Sequence, residues 1–208
     1  MKRTKVVTGL LSLAALFVLG TLAATSASAA SEFLWSGALP GLILVLSTNA
    51  QLFAFEPGGT IFTCKHFGAR ATTSNGSAMT TKEIVLTGLY SKCEFVGVNT
   101  KVSPVEFLLT ADGSIAVIGK PIVLTFGGIF NCSVKIDSGA ANRSLKTIKF
   151  LNAPQSHPAA VLAHVEIAGF TSLSSGGECG TPGEERREGL FRGLWLLFVD
   201  GGTLRWDP

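Results

Sequence analysis

Thr60-Ile61-Phe62-Thr63-Cys64, answered by Thr87-Gly88-Leu89-Tyr90-Ser91-Lys92-Cys93, is the pair of runs on which the fold turns. Each is rich in β-branched and aromatic residues and each closes on a cysteine, the pattern of adjacent strands held by a disulfide. Pro57-Gly58-Gly59 turns the chain into the first run. Between the two lies a polar excursion, Ala71 to Ser77, centred on the hairpin dipeptide Asn75-Gly76.

Short apolar runs continue outward from this pair, spaced by turn residues at intervals of about ten, the rhythm of a sandwich or barrel. Upstream, Leu42 to Ser47 is continuously apolar and reads as a strand buried on both faces, followed by Gln51 to Phe55. Lys82 to Leu86 and Leu89 to Val96 read as two strands separated at Gly88. Val105 to Leu109 and Ser114 to Ile118 form a hairpin through Ala111-Asp112-Gly113, because Asp-Gly tolerates the positive φ such a turn needs. Ile122 to Phe126 follows, then Phe130 to Ile136, in which Phe130, Cys132, Val134 and Ile136 share one face. Leu145 to Leu151, Val161 to Ile167, Leu190 to Val199 and Thr203 to Trp206 complete the set, with Leu190 to Val199 read as a central strand because its polarity does not alternate. Residues 171–189 read as one long charged loop, with Thr181-Pro182 able to open a single helical turn through Glu188. The expected architecture is all-β, a single-domain sandwich or flattened barrel of about ten strands over residues 31–208.

Residues 1–30 have the form of a cleaved signal peptide: Lys2, Arg3 and Lys5, an uncharged apolar stretch from Val6 to Leu22, then Ala27-Ser28-Ala29. The expectation is a secreted, extracellular or envelope protein with no membrane span after cleavage. Three of the 17 basic residues lie in that segment, leaving 14 against 14 acidic ones. A balanced chain lacks the cationic surplus that binds nucleic acid, and no basic amphipathic stretch marks a membrane surface. Cys64, Cys93, Cys132 and Cys179 fit no zinc spacing. An even number in an exported chain indicates disulfides. Of the three possible pairings, proximity along the chain favours Cys64–Cys93 with Cys132–Cys179.

The order Thr48-Asn49…Phe53, Gly59-Thr60-Ile61-Phe62-Thr63-Cys64-Lys65, Tyr90-Ser91-Lys92-Cys93…Gly97 resembles a group of uncharacterised exported β-proteins from soil actinobacteria. The later run Cys132-Ser133-Val134…Leu145…Ile148-Lys149-Phe150…Cys179 is similar in spacing to the same group. The resemblance implies an exported, disulfide-bonded β-fold and carries no activity.

No Gly-x-Ser-x-Gly nucleophile turn occurs, and paired cysteines leave no thiolate. His164 and Glu166 share a strand face, which permits an acid/base or metal role, although a solvent-facing strand edge is the commoner origin of such a pair. Glu184-Glu185 and Arg186-Arg187 read as a self-neutralising surface run. Trp35 and Trp206 are candidate sugar-stacking contacts, whereas Trp195 lies in an apolar strand. With 14 Phe against one Tyr, the aromatic balance leans toward core. Asn75, Asn131 and Asn142 head N-x-Ser sequons. The expected function is non-catalytic and free of cofactors, a structural, adhesive or binding role toward an extracellular protein or glycan. A carbohydrate-binding module is the alternative, and a secreted hydrolase comes after it. Thiol titration of the denatured mature protein is expected to find no free cysteine.

Overall fold

The computed structural model describes residues 31–36, 42–55, 61–72, 79–137, 145–146, 148–153, 160–179 and 181–208. Residues 1–30, expected to be a signal peptide, the expected turn at Pro57-Gly58-Gly59, the expected hairpin at Asn75-Gly76 and the Asn142 sequon lie outside them. In chain order the strands are β1 (Glu32–Ser36), β2 (Leu42–Ser47), β3 (Gln51–Ala54), β4 (Phe62–Thr72), β5 (Met79–Thr81), β6 (Glu83–Phe95), β7 (Val98–Val102) and β8 (Val105–Thr110). They continue with β9 (Ser114–Val117), β10 (Ile122–Phe126), β11 (Cys132–Ile136), β12 (Leu145–Lys146), β13 (Ile148–Asn152), β14 (Ala160–Ser174), β15 (Glu185–Val199) and β16 (Thr203–Asp207).

Of the two expected architectures the structure takes the barrel, and it is closed. The circuit runs β6-β7-β10-β11-β14-β15-β2-β4 and returns to β6 through the β4–β6 pairing, eight antiparallel strands in all. Several staves of the wall are built from two strands in line. β7 and β8 both answer β6, through Phe95↔Val98 and Gly88↔Val105. β2 and β3 both answer β15, through Leu196↔Leu46 and Phe191↔Phe53. β11 and β13 both answer β14, through Val134↔Ser174 and Phe150↔Ala163. Eight staves leave an interior about as wide as two layers of side chains. Alternate residues fill it: Phe53, Phe62, Phe67, Tyr90, Phe107, Leu124, Phe126, Phe191, Trp195 and Leu197 are all buried.

β16, β1 and β5 form a separate small sheet at the barrel end where β13 and β15 finish. Phe33, Trp35 and Leu204 from this sheet are buried, and the Phe33 ring meets Phe150 of the wall edge-on at 5.0 Å. The small sheet therefore plugs one end.

Both expected disulfides form. Cys64 faces Cys93 directly across the β4–β6 ladder, and Cys132 at the start of β11 holds Cys179 in the loop after β14. Two sequence readings need correction. Gly88 is not a boundary between strands, since β6 runs unbroken through it. The Phe67 ring lies where a Gly88 Cβ would be, 2.6 Å away, so this glycine seats an aromatic ring of the neighbouring strand. Residues 171–189 are not one loop. β14 continues to Ser174 and β15 begins at Glu185, with register shifts around Phe170 that mask the strand periodicity. What remains is a short connection with a 3-10 turn at Gly177–Cys179 and, in place of a helical turn, a β-turn closed by Glu184 N donating to Thr181 O at 3.0 Å.

The junction between β2–β3 and β15 is held by side chains as well as backbone. Trp195 Nε1 donates to Gln51 Oε1 at 2.6 Å, Gln51 Nε2 donates to Asn49 O at 2.9 Å, and Asn49 Oδ1 accepts from Leu194 N at 3.1 Å. A Cβ on Gly193 would lie 2.0 Å from Gln51 Oε1. Gly193→Ala is therefore expected to lower unfolding free energy by about 1–3 kcal/mol, the range for an overpacked core. Gly68→Ala, where an added Cβ meets nothing within 4 Å, is expected to be neutral or to stabilise by up to about 1 kcal/mol through loss of chain entropy. Urea unfolding of the pair checks the contrast.

Candidate functional site

His164 and Glu166 do lie two apart on one face of β14, and both are exposed on the outside of the barrel. The ladder sets His164 between Lys149 of β13 and Leu194 of β15. Glu166 accepts from Arg192 Nη2 at 3.0 Å across the β14–β15 pair. An exposed carboxylate bound to an exposed guanidinium, on a convex wall, has neither desolvation nor a third group converging on it. It is a surface ion pair, worth about 0–1 kcal/mol. Among the described residues no group of three or more His, Cys, Asp or Glu could hold a metal ion.

The two indoles proposed from sequence as ligand contacts face inward instead. Trp206 stands opposite Phe33, and Trp35 opposite Leu204, so all four side chains share the barrel-facing side of the small sheet. Trp35 is 7% exposed. Trp206 is half-buried against Phe150 and donates its indole N–H to Ala111 O at 2.9 Å. Both give the cap a large apolar area, but only Trp206 directs its polar atom at a backbone carbonyl, the Trp35 indole N–H being buried without a partner. The charged run at the start of β15 pairs within itself, with Arg187–Glu185 at 3.0 Å and Arg186–Glu184 at 3.7 Å. Asn131 is exposed beside Cys132 and carries a left-handed φ of 39°.

Two features emerge that no linear reading could assemble. The first is on the outside. One rung of the wall reads Leu151↔Leu162↔Leu196↔Leu46↔Gly68↔Leu89, crossing β13, β14, β15, β2, β4 and β6. Leu151, Leu46 and Leu89 are 53%, 51% and 57% exposed, and Leu162 and Leu196 are half-buried. One rung toward the capped end Phe198 faces Leu44, and one rung the other way stands Leu194, all half-buried. This explains why Leu190 to Val199 shows no alternation: Phe191, Trp195, Leu197 and Val199 fill the interior, while Leu194, Leu196 and Phe198 face out. The expectation that β2 is buried on both faces fails for the same reason at Leu46.

The second feature is inside. A cavity of about 30 Å³ is bounded by Phe53, Tyr90, Phe107, Ile136, Ile167 and Phe191, among others. Tyr90 is the chain's one tyrosine; its ring stacks on Phe67 at 4.5 Å, and its hydroxyl is buried with no hydrogen-bond partner. Burial holds its pKa well above that of a free phenol.

Comparison with family models, curated proteins and solved structures returns no match.

The Tyr90 environment gives a pH prediction. A phenol whose folded pKa is raised by desolvation contributes stability that is complete below about pH 10, the unfolded value, and lost as pH rises toward the folded one. Absorbance near the tyrosinate band should show no ionisation of the folded protein above that pH until it unfolds. Titration of the folded chain at an ordinary phenolic pH would contradict this burial.

Proposed function

We propose that this chain is an exported, non-catalytic barrel that works by association through its outer wall, and that the surface it engages is an anionic lipid layer of the cell envelope. The observation that carries the reading is the leucine rung. Contiguous exposed apolar surface on a soluble protein marks an interaction site, unlike apolar side chains scattered singly. The rung is bordered by the exposed cations Arg70, two residues along β4 from Gly68, and Lys149, two residues along β13 from Leu151, while Glu166 and Arg192 neutralise each other. Apolar area edged by cations suits an interface between acyl chains and anionic head groups. Two disulfides accord with an oxidising compartment outside the cytoplasm.

The glycan reading loses its platform, since Trp35 and Trp206 face the barrel. The hydrolase reading loses its site, since His164 and Glu166 stand on open convex surface. In co-sedimentation with vesicles, the protein should pellet with those containing phosphatidylglycerol and much less with pure phosphatidylcholine. Leu46→Asp/Leu89→Asp should weaken this at least tenfold while leaving the melting temperature within a few degrees. Wild type remaining in the supernatant with both vesicles would overturn the lipid assignment. So would a dimer, seen by ultracentrifugation, that the double variant abolishes, because the rung would then be a contact between copies.

A further inference from the structure

The glycines inside the strands of the wall have separable causes. Gly88 and Gly189 leave the place of a Cβ to aromatic rings, those of Phe67 and Phe170, and Gly193 leaves it to the Gln51 carboxamide. Gly169 holds a left-handed φ of 77°. Gly68 of β4 has none of these causes. Its φ is not left-handed, and a Cβ added there would meet nothing within 4 Å. Its pairing with Leu46 on one side and Leu89 on the other runs without a register shift. Glycine weakens a strand interior, and recurs there at bulges, at tight bends and where a ligand comes close.

Gly68 is the member of the leucine rung that has no side chain, and the leucines on both sides of it are exposed. Neighbouring strands lie about 4.8 Å apart, so Leu46 and Leu89 straddle Gly68 at about 10 Å, leaving a slot along β4 wide enough for one hydrocarbon chain. The β4 backbone that floors it is paired on both sides, to β2 and β6, and so offers few free polar groups. Toward the capped end the next outward residue of β4 is Arg70, exposed between Leu44 and Thr87. Glu106 of β8 stands in that row beyond Thr87, so the end of the slot itself is cationic. At the other end His66 is exposed opposite Ser91.

We infer that the Gly68 slot seats a single acyl chain whose anionic head is held by Arg70. This rests on the reading of the rung as a lipid-facing surface and names the part of the lipid that is taken. Aliphatic walls, a floor without a side chain and a guanidinium at one end match a chain with a negative head.

The probes are octanoate, below its micellar concentration, and 1-octanol as its uncharged counterpart, followed through the backbone amide resonances of Leu46, Arg70 and Leu89. Octanoate should shift these saturably in wild type. Arg70→Gln should lower its affinity about two- to fivefold, the scale of one exposed ion pair, and leave octanol unchanged. Gly68→Leu should abolish the saturable shifts with both probes. Both substitutions lie on open surface and should leave the melting temperature nearly unchanged.

Vesicles containing phosphatidylglycerol give a check by sign. Were the rung apolar area alone, Gly68→Leu would extend it and tighten vesicle binding, whereas a filled slot should loosen it. Tightening would overturn the slot and leave the lipid reading of the rung standing. Wild type that ignores vesicles, yet binds octanoate in a manner dependent on Gly68 and Arg70, would overturn the lipid-layer reading and support the slot as a site for a free amphiphile. Octanoate without saturable shifts in wild type would overturn the slot whatever the vesicles show. So would a marked loss of stability in Gly68→Ala, since the glycine would then serve the curvature of the wall.

Discussion

The barrel depends on its first stave meeting its last. β2 and β3 must lie against β15, and the two strands reach it in registers that differ by two residues, with Thr48, Asn49 and Ala50 between them. Such an offset would leave backbone groups unsatisfied if nothing filled it. Here the Asn49 carboxamide takes the Leu194 N–H, Thr48 N donates to Leu194 O, and Gln51 reaches inward to the Trp195 indole. Closure removes the exposed edges that an open sheet of this length would present. The buried polar bond between Gln51 and Trp195 is thus the join in the wall, and Gly193 is small because that bond passes over it.

Once closed, the interior is set by its aromatic rings. Trp195, Phe67 and Tyr90 lie in sequence at 4.8 and 4.5 Å, and Phe107, Phe53 and Phe191 pack around them. These rings fill a space that in a wider barrel would be an open lumen. The capped end is closed in the same manner by Phe33, Trp35, Leu204 and Trp206. The apolar surface left on the outside is the leucine rung of the wall.

Much of this could be read in advance because it is local. The all-β character, the Asp112-Gly113 hairpin with Gly113 at a φ of 87°, the inward face of Cys132, Val134 and Ile136, and both disulfides follow from periodicity, turn chemistry and proximity along the chain. What escaped is long-range. Whether strands stack as two sheets or close into one ring depends on β15 finding β2, about which neither strand carries a local signal. Gly88 looked like a break because the ring that rests on it belongs to another strand. The 171–189 segment looked irregular because Gly169 and the shifts around Phe170 disrupt its alternation. Trp35 and Trp206 looked available because terminal position suggests exposure, and only the pairing of β1 with β16 turns them inward. The leucine rung takes one residue from each of six strands, so it has no linear signature.

The cap joins Glu32 to Asp207, nearly the full span of the folded region. A chain emerging from a ribosome or a translocation pore amino end first must therefore keep β1 waiting until the last strand is out. During that interval Phe33 and Trp35 have no seat, and the wall they cover lacks its final stave. The cap is thus the part of the fold that closes only after the strands between its two ends have been made.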